Sequence, residues 1–129
     1  MPKVEVSVGE LLDKITILQI KQEYITDENK LKYIREELSV LQSTVDEENI
    51  QVPEELVDEL RSINRELWDV EDVIRACELD EDFGPPFIES ARHDAILNDK
   101  RFLAKNKINT VSQSLIKEQK SYEGLYTAD

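Results

Sequence analysis

Leu56, Leu60, Ile63, Leu67, Val70, Ile74 and Cys77 recur at steps of 4, 3, 4, 3, 4 and 3. That alternation places all seven on one narrow stripe of an α-helix, the seam of a helix that packs lengthwise against another. The stripe is bracketed by its own punctuation. Pro53 suits a first helical turn, where its missing N–H is harmless. Asp80 to Pro86, DEDFGPP, cannot continue a helix and can restart one. The spacing therefore predicts a helix of about 25 residues, roughly 38 Å long.

Three further helices follow from similar signals. Ser7 and Glu10 have capping-box spacing, with Val6 and Leu11 as the accompanying staple, so a first helix starts near Val8. Val8, Leu11, Leu12, Ile15, Leu18 and Ile25 form its main face, widened by Ile17, Ile20 and Tyr24. A helix apolar over so much of its girth is buried on more than one side. Thr26 and Asp27 are the next cap candidates. Leu31, Ile34, Leu38, Leu41 and Val45 then step by 3, 4, 3, 4 and predict a second helix from about Glu28 to Val45. The short joint forces these two into an antiparallel hairpin. A fourth helix runs from about Pro86 to at least Val111. Its apolar line, Ile88, Ala91, Ala95 and Phe102, is untidy, and Leu97, Ala104, Ile108, Val111 and Leu115 make a second one. Residues 1–7, with alternating Val4, Val6 and Val8, read as an extended arm, and residues 121–129 as a flexible tail.

The expected fold is all-α: one domain, an antiparallel up-down bundle of two short and two long helices with coiled-coil-like packing. Charged residues at 35% and aromatics at 6% of 129 residues agree with it. The unequal lengths leave the long hairpin projecting past the short one. A second copy of the chain is the economical cover for its apolar stripe, so a homodimer is expected, with a different helical protein as the other partner.

Composition also excludes functions. No apolar run approaches the roughly 20 residues of a membrane span. The N-terminus lacks the apolar core of a signal peptide, and one Cys rules out an internal disulfide; cytoplasm is the simplest compartment. The net charge is −13, spread unevenly. Residues 36–82 hold 17 acidic and 3 basic residues, a net of −14, whereas residues 92–120 hold 3 acidic and 7 basic residues, a net of +4. Phosphate repels such a field, so nucleic acid is not an expected partner.

Beside the seam lies a polar strip. Asn64, Trp68, Glu71 and Arg75 step by 4, 3, 4 along one flank. Antiparallel pairing across the DFGPP turn sets Arg75 near Glu89, Glu71 near Arg92 to Asp94, Trp68 near Leu97 and Asn64 near Arg101. The fourth helix thus offers Arg92, Asn98, Asp99 and Arg101 opposite. Such a network can fix helix register with Trp68 as a packing anchor. Alternatively it frames a shallow pocket for a polar ligand, with Arg75, Arg92 and Arg101 positioned to fork onto an anion.

Catalytic signatures are incomplete. Di-iron bundles need two Glu-x-x-His pairs, and His93 is the lone histidine. Helical magnesium-dependent nucleotide pyrophosphohydrolases use Glu-x-x-Glu on one helix and Glu-x-x-Asp on the next. Glu66 and Asp69 match the second half, but Ser39 and Val40 follow Glu36 and Glu37 at the first. No Ser or Cys has a nucleophile context, and Cys77 falls on the seam as a core thiol. No catalytic residue, cofactor or metal is assigned. The expected role is association through helical surfaces, with a polar-ligand or magnesium-dependent phosphohydrolase-like site between the third and fourth helices as the alternative.

The segments VSVGELLDKITILQIKQEYITD, LWDVEDVIRACE, FIESARHDAILNDKR and KSY, taken in order, resemble an uncharacterised family of short helical proteins of bacteria and their phages. The likeness covers about residues 4–122. It implies a cytoplasmic helical protein and supplies no catalytic residue. It adds Asp13, Lys14 and Lys21 of the first helix to the polar strip as residues to test.

Overall fold

A computed structural model describes residues 1–113, 118–121, 123 and 124. It contains four helices and, among the described residues, no strand: α1 Val8–Tyr24, α2 Glu28–Glu47, α3 Glu54–Leu79 and α4 Pro85–Ser112. They run up-down-up-down. No helix among the described residues is long and apolar enough to cross a membrane.

The caps explain the boundaries. The Ser7 hydroxyl accepts the Glu10 N–H at 3.1 Å. The reciprocal half of the expected capping box is not made, because the Glu10 carboxylate takes the Lys105 ammonium at 2.8 Å, a charge-assisted bond stronger than one to a backbone amide. Asp27 caps α2 by accepting the N–H groups of Asn29 and Lys30 at 2.9 and 3.2 Å. Helix α3 starts one residue after Pro53. It ends where Glu81 turns to a φ of 54° and the Asp82 N–H closes onto the Cys77 carbonyl at 2.9 Å. Pro85 and Pro86 fill the first positions of α4, where neither lost N–H is missed.

Helix α1 is the centre: it lies against all three others, whereas α2 approaches α1 alone. This is the burial on several sides that the girth of apolar residues predicts. Leu11, Leu12, Ile15 and Leu18 of α1 meet Leu31, Ile34 and Leu38 of α2, Leu60 of α3, and Ala104 and Ile108 of α4 in one cluster. Helices α3 and α4 make the most extensive contact, along the predicted α3 seam. Leu60, Leu67 and Cys77 on that seam are buried.

The predictions for α4 hold in part: Leu97, Ala104 and Ile108 of the second line and Phe102 of the first are buried, whereas Val111 is exposed. Ile88, Ala91 and Ala95 are exposed. The inward line is instead Phe87, Ser90, Asp94, Leu97, Arg101, Ala104 and Ile108, which steps by 3 and 4 throughout and is half-buried or buried at every position. Three polar residues interrupt it, so the apolar pattern alone finds Leu97, Ala104 and Ile108 but misplaces the face over Ile88 to Ala95.

The unequal lengths have the expected consequence. Tyr24, the last residue of α1, stacks on Trp68 with ring centroids 5.4 Å apart. Beyond that point α3 continues 11 residues to Leu79, about 17 Å without a third helix beside it. Residues 1–6 of the arm are exposed and non-helical. Most of the expected flexible tail, residues 122 and 125–129, lies outside the described residues.

Candidate functional site

A fully enclosed carboxylate anchors the polar chemistry. Asp13 of α1 is 1% exposed in the midst of leucines and isoleucines. An ion of that kind persists only with partners for both oxygens. Arg101 of α4 forks onto it, Nε to Oδ1 at 2.9 Å and Nη2 to Oδ2 at 2.5 Å. Asn64 of α3 donates to the same Oδ1 at 2.9 Å and to the Thr16 hydroxyl at 3.0 Å. Thr16 in turn donates to the Asp13 carbonyl at 2.9 Å. One carboxylate thus ties α1, α3 and α4 together. Its hydrogen bond holds the Arg101 guanidinium above its ordinary pKa, against the opposing effect of burial.

One turn along α4, Lys105 is nearly as deep. Its ammonium donates to Glu10 at 2.8 Å and to Glu118 at 2.6 Å. Burial disfavours the charged ammonium, but these two bonds and the nearby Asp13 outweigh it and raise the pKa. Glu118 also pairs with Lys120 at 3.2 Å, and Lys120 stands 5.7 Å over the Phe102 ring. Burial alone would raise the Glu118 pKa; the Lys105 and Lys120 partners reverse that and lower it. Glu10, Asn98, Arg101, Phe102, Lys105, Glu118 and Lys120 enclose a cavity of 260 Å³.

The structure divides the strip proposed from sequence. Asn64 and Arg101 meet on Asp13, in the register that antiparallel counting gives. Trp68 is half-buried under Tyr24, whose hydroxyl donates to Asp69 at 3.3 Å. Asn98 folds back on its own helix, donating to the Asp94 carbonyl and carboxylate at 3.0 and 3.3 Å. Asp99 is half-buried, while Glu71, Arg75 and Arg92 are exposed beyond the end of α1. The three arginines therefore do not converge on one anion. Lys14 is exposed and Lys21 half-buried. Besides the cap residue Ser7, the buried polar residues that neither the strip nor the added α1 residues include are Thr16, Lys105 and Asn109. A polar side chain inside a helix apolar around its girth is the signal that marks Asp13 and Thr16.

Glu71 faces Asp94, whose Oδ1 is buried without a hydrogen-bond partner among the described residues. Desolvation first, and Asp94 second, push the Glu71 pKa up, with Arg101 and Arg75 opposing. A carboxyl with a folded pKa above its unfolded one is destabilising when ionised. The penalty is present above the folded pKa and disappears as pH falls through it. Glu71→Gln is therefore expected to leave stability within about 0.5 kcal/mol or raise it slightly at pH 7. The gap to the parent should close toward acid in urea titrations, and a large loss at pH 7 would contradict this placement.

Among the described residues, no three His, Cys, Asp or Glu side chains come together as metal ligands. Glu66 stands 3.8 Å from His93, and Asp69 takes the Tyr24 hydroxyl, so the half-motif Glu66-x-x-Asp69 is engaged within the fold.

These features define an all-helical four-helix bundle locked by a buried ion pair. The chain belongs to DUF6165, described as a family of unknown function, whose model matches residues 2–128. No curated protein and no solved structure matches it.

Proposed function

We propose that this protein is a cytoplasmic helical association module and that its partner is a second copy of itself, docked along the end of the α3–α4 hairpin that α1 and α2 do not reach. The observation that carries this is the clustering of exposed apolar side chains there: Val73 is 44%, Leu79 85%, Phe83 51% and Ile88 54% exposed, whereas at the other end of α4 Val111, at 51%, stands apart from them. The chain's accessible surface is 9006 Å². A compact monomer of this mass has roughly 7,000 Å². The excess is shared between the exposed arm, residues 1–6, and the projecting hairpin.

Charge restricts how a second copy docks. Residues 71–92 carry seven acidic side chains and two basic ones, Arg75 and Arg92, all exposed. In a two-fold interface residue i meets j and j meets i, so a surface with both signs is able to complement itself. An antiparallel arrangement also keeps the two acidic Asp80–Asp82 turns apart.

Sedimentation equilibrium tests this. The chain is expected to sediment as a dimer, and Leu79→Gln with Ile88→Gln to weaken the dimer at least about tenfold, because both side chains leave water only on pairing. The same double variant should keep the monomer's helicity. A parent that remains monomeric at high concentration overturns the proposal.

A further inference from the structure

We propose that the cavity between α1 and α4 is a binding site for a small oxyanion, a phosphate or carboxylate group, and that Glu118 occupies it as an intramolecular competitor. The proposal is independent of dimer formation.

The chain carries a net charge of −13, yet Arg101, Lys105 and Lys120 converge on this one cavity. Lys105 is built into it: its side chain is 7% exposed and hydrogen-bonded to carboxylates on both sides. Arg101 spends Nε and one hydrogen of Nη2 on Asp13. Among the described residues its Nη1 has no hydrogen-bond acceptor, and its side chain is 30% exposed and lines the cavity. The floor thus presents a forked donor beside a buried ammonium, the combination that recognises phosphate and carboxylate oxygens.

Glu118 differs in kind from the other acid present. Glu10 is fixed on α1, whereas residues 118–120 belong to no helix. Its two carboxylate oxygens bind two separate cations, Oε1 on Lys105 at 2.6 Å and Oε2 on Lys120 at 3.2 Å, as a ligand's would. With that carboxylate withdrawn, Arg101, Lys105 and Lys120 stand against Asp13 and Glu10, a net of +1. The negative charge of an oxyanion restores the balance that Glu118 supplies. The 260 Å³ cavity lies just below the usual range for small-molecule sites, so it fits a phosphate- or citrate-sized group rather than a whole nucleotide. A docked Glu118 lowers apparent affinity by the fraction of molecules in which the site is open.

Calorimetric titration of the full chain with pyrophosphate and with citrate, against sodium chloride at matched ionic strength, tests both parts. Glu118→Gln is expected to bind at least about fivefold tighter than the parent, because the competitor's charge is gone. Lys105→Met should abolish binding. Lys120→Ala, a milder change should Lys105→Met fail to fold, should weaken it about threefold or more. A preference for pyrophosphate or for citrate assigns the group as phosphate or carboxylate. Absence of binding to Glu118→Gln, equal affinity in parent and Glu118→Gln, or unchanged affinity in Lys120→Ala each overturns the proposal.

Discussion

Arg101→Met is expected to destabilise the fold by about 3 kcal/mol, the low end of what breaking a buried ion pair costs. The low end applies because the Arg101 side chain is 30% exposed while Asp13 is 1% exposed, so only one partner is wholly withdrawn from water. The variant leaves Asp13 with Asn64 as its one cross-helix donor, too little for an ionised carboxylate among aliphatic side chains. Removing both charges is a different matter. Asp13→Leu combined with Arg101→Met should recover at least half of the loss, because the uncompensated charge, not the missing contact, dominates the cost. Urea unfolding at pH 7 measures both, read as midpoints at constant slope. A single-variant loss under about 1 kcal/mol would show that Asp13 is compensated by other means.

That ion pair also marks where local sequence patterns stop being informative. Ser7, Asp27 and the Pro85–Pro86 pair declare their helix ends through backbone chemistry contained within a few residues, and the ends fall within a residue or two of expectation. The α3 seam is legible because every one of its positions is apolar. The α4 seam is legible only through Leu97, Ala104 and Ile108, because Ser90, Asp94 and Arg101 stand on the rest of it. A polar residue is tolerated on an inward line when its partner comes from a distant element, and no periodicity encodes that partner. Counting across the DFGPP turn nonetheless brings Asn64 and Arg101 together, since antiparallel register between two straight helices is simple arithmetic.

The position of α1 across that register decides the rest of the site. Strip residues beneath α1 are sequestered: Asn64 under Asp13, Trp68 under Tyr24. Those beyond Tyr24 meet solvent. One evenly spaced strip therefore has two physical characters, and the division falls where α1 ends rather than where the strip's composition changes. Lys105 and Glu118 escape sequence reasoning for a related reason. Each looks like an ordinary solvated charge until the α1–α4 crossing closes over the lysine.

Gly9→Ala is expected to cost about 2 kcal/mol, because of how closely that crossing is made. The Gly9 N–H donates to the Asn109 side-chain oxygen at 2.7 Å. A Cβ at Gly9 would stand 2.6 Å from the Lys105 carbonyl oxygen and 2.8 Å from Asn109 Oδ1. The Asn109 side chain is able to swing away; the carbonyl belongs to the α4 backbone and is not. Relief requires α1 and α4 to separate, which strains the Glu10–Lys105 and Asp13–Arg101 pairs on the following turns. Overpacking of this kind costs about 3 kcal/mol at the upper end of its usual range. The better helix propensity of Ala returns up to about 1 kcal/mol, so the clash wins. Gly9→Ala with Asn109→Ala separates the two contacts. It should be at least as unstable as Gly9→Ala alone, because the backbone contact persists and a hydrogen bond is lost as well. Recovery of stability in the double variant, measured by urea unfolding, would place the limiting contact at the Asn109 side chain and not at the helix backbone.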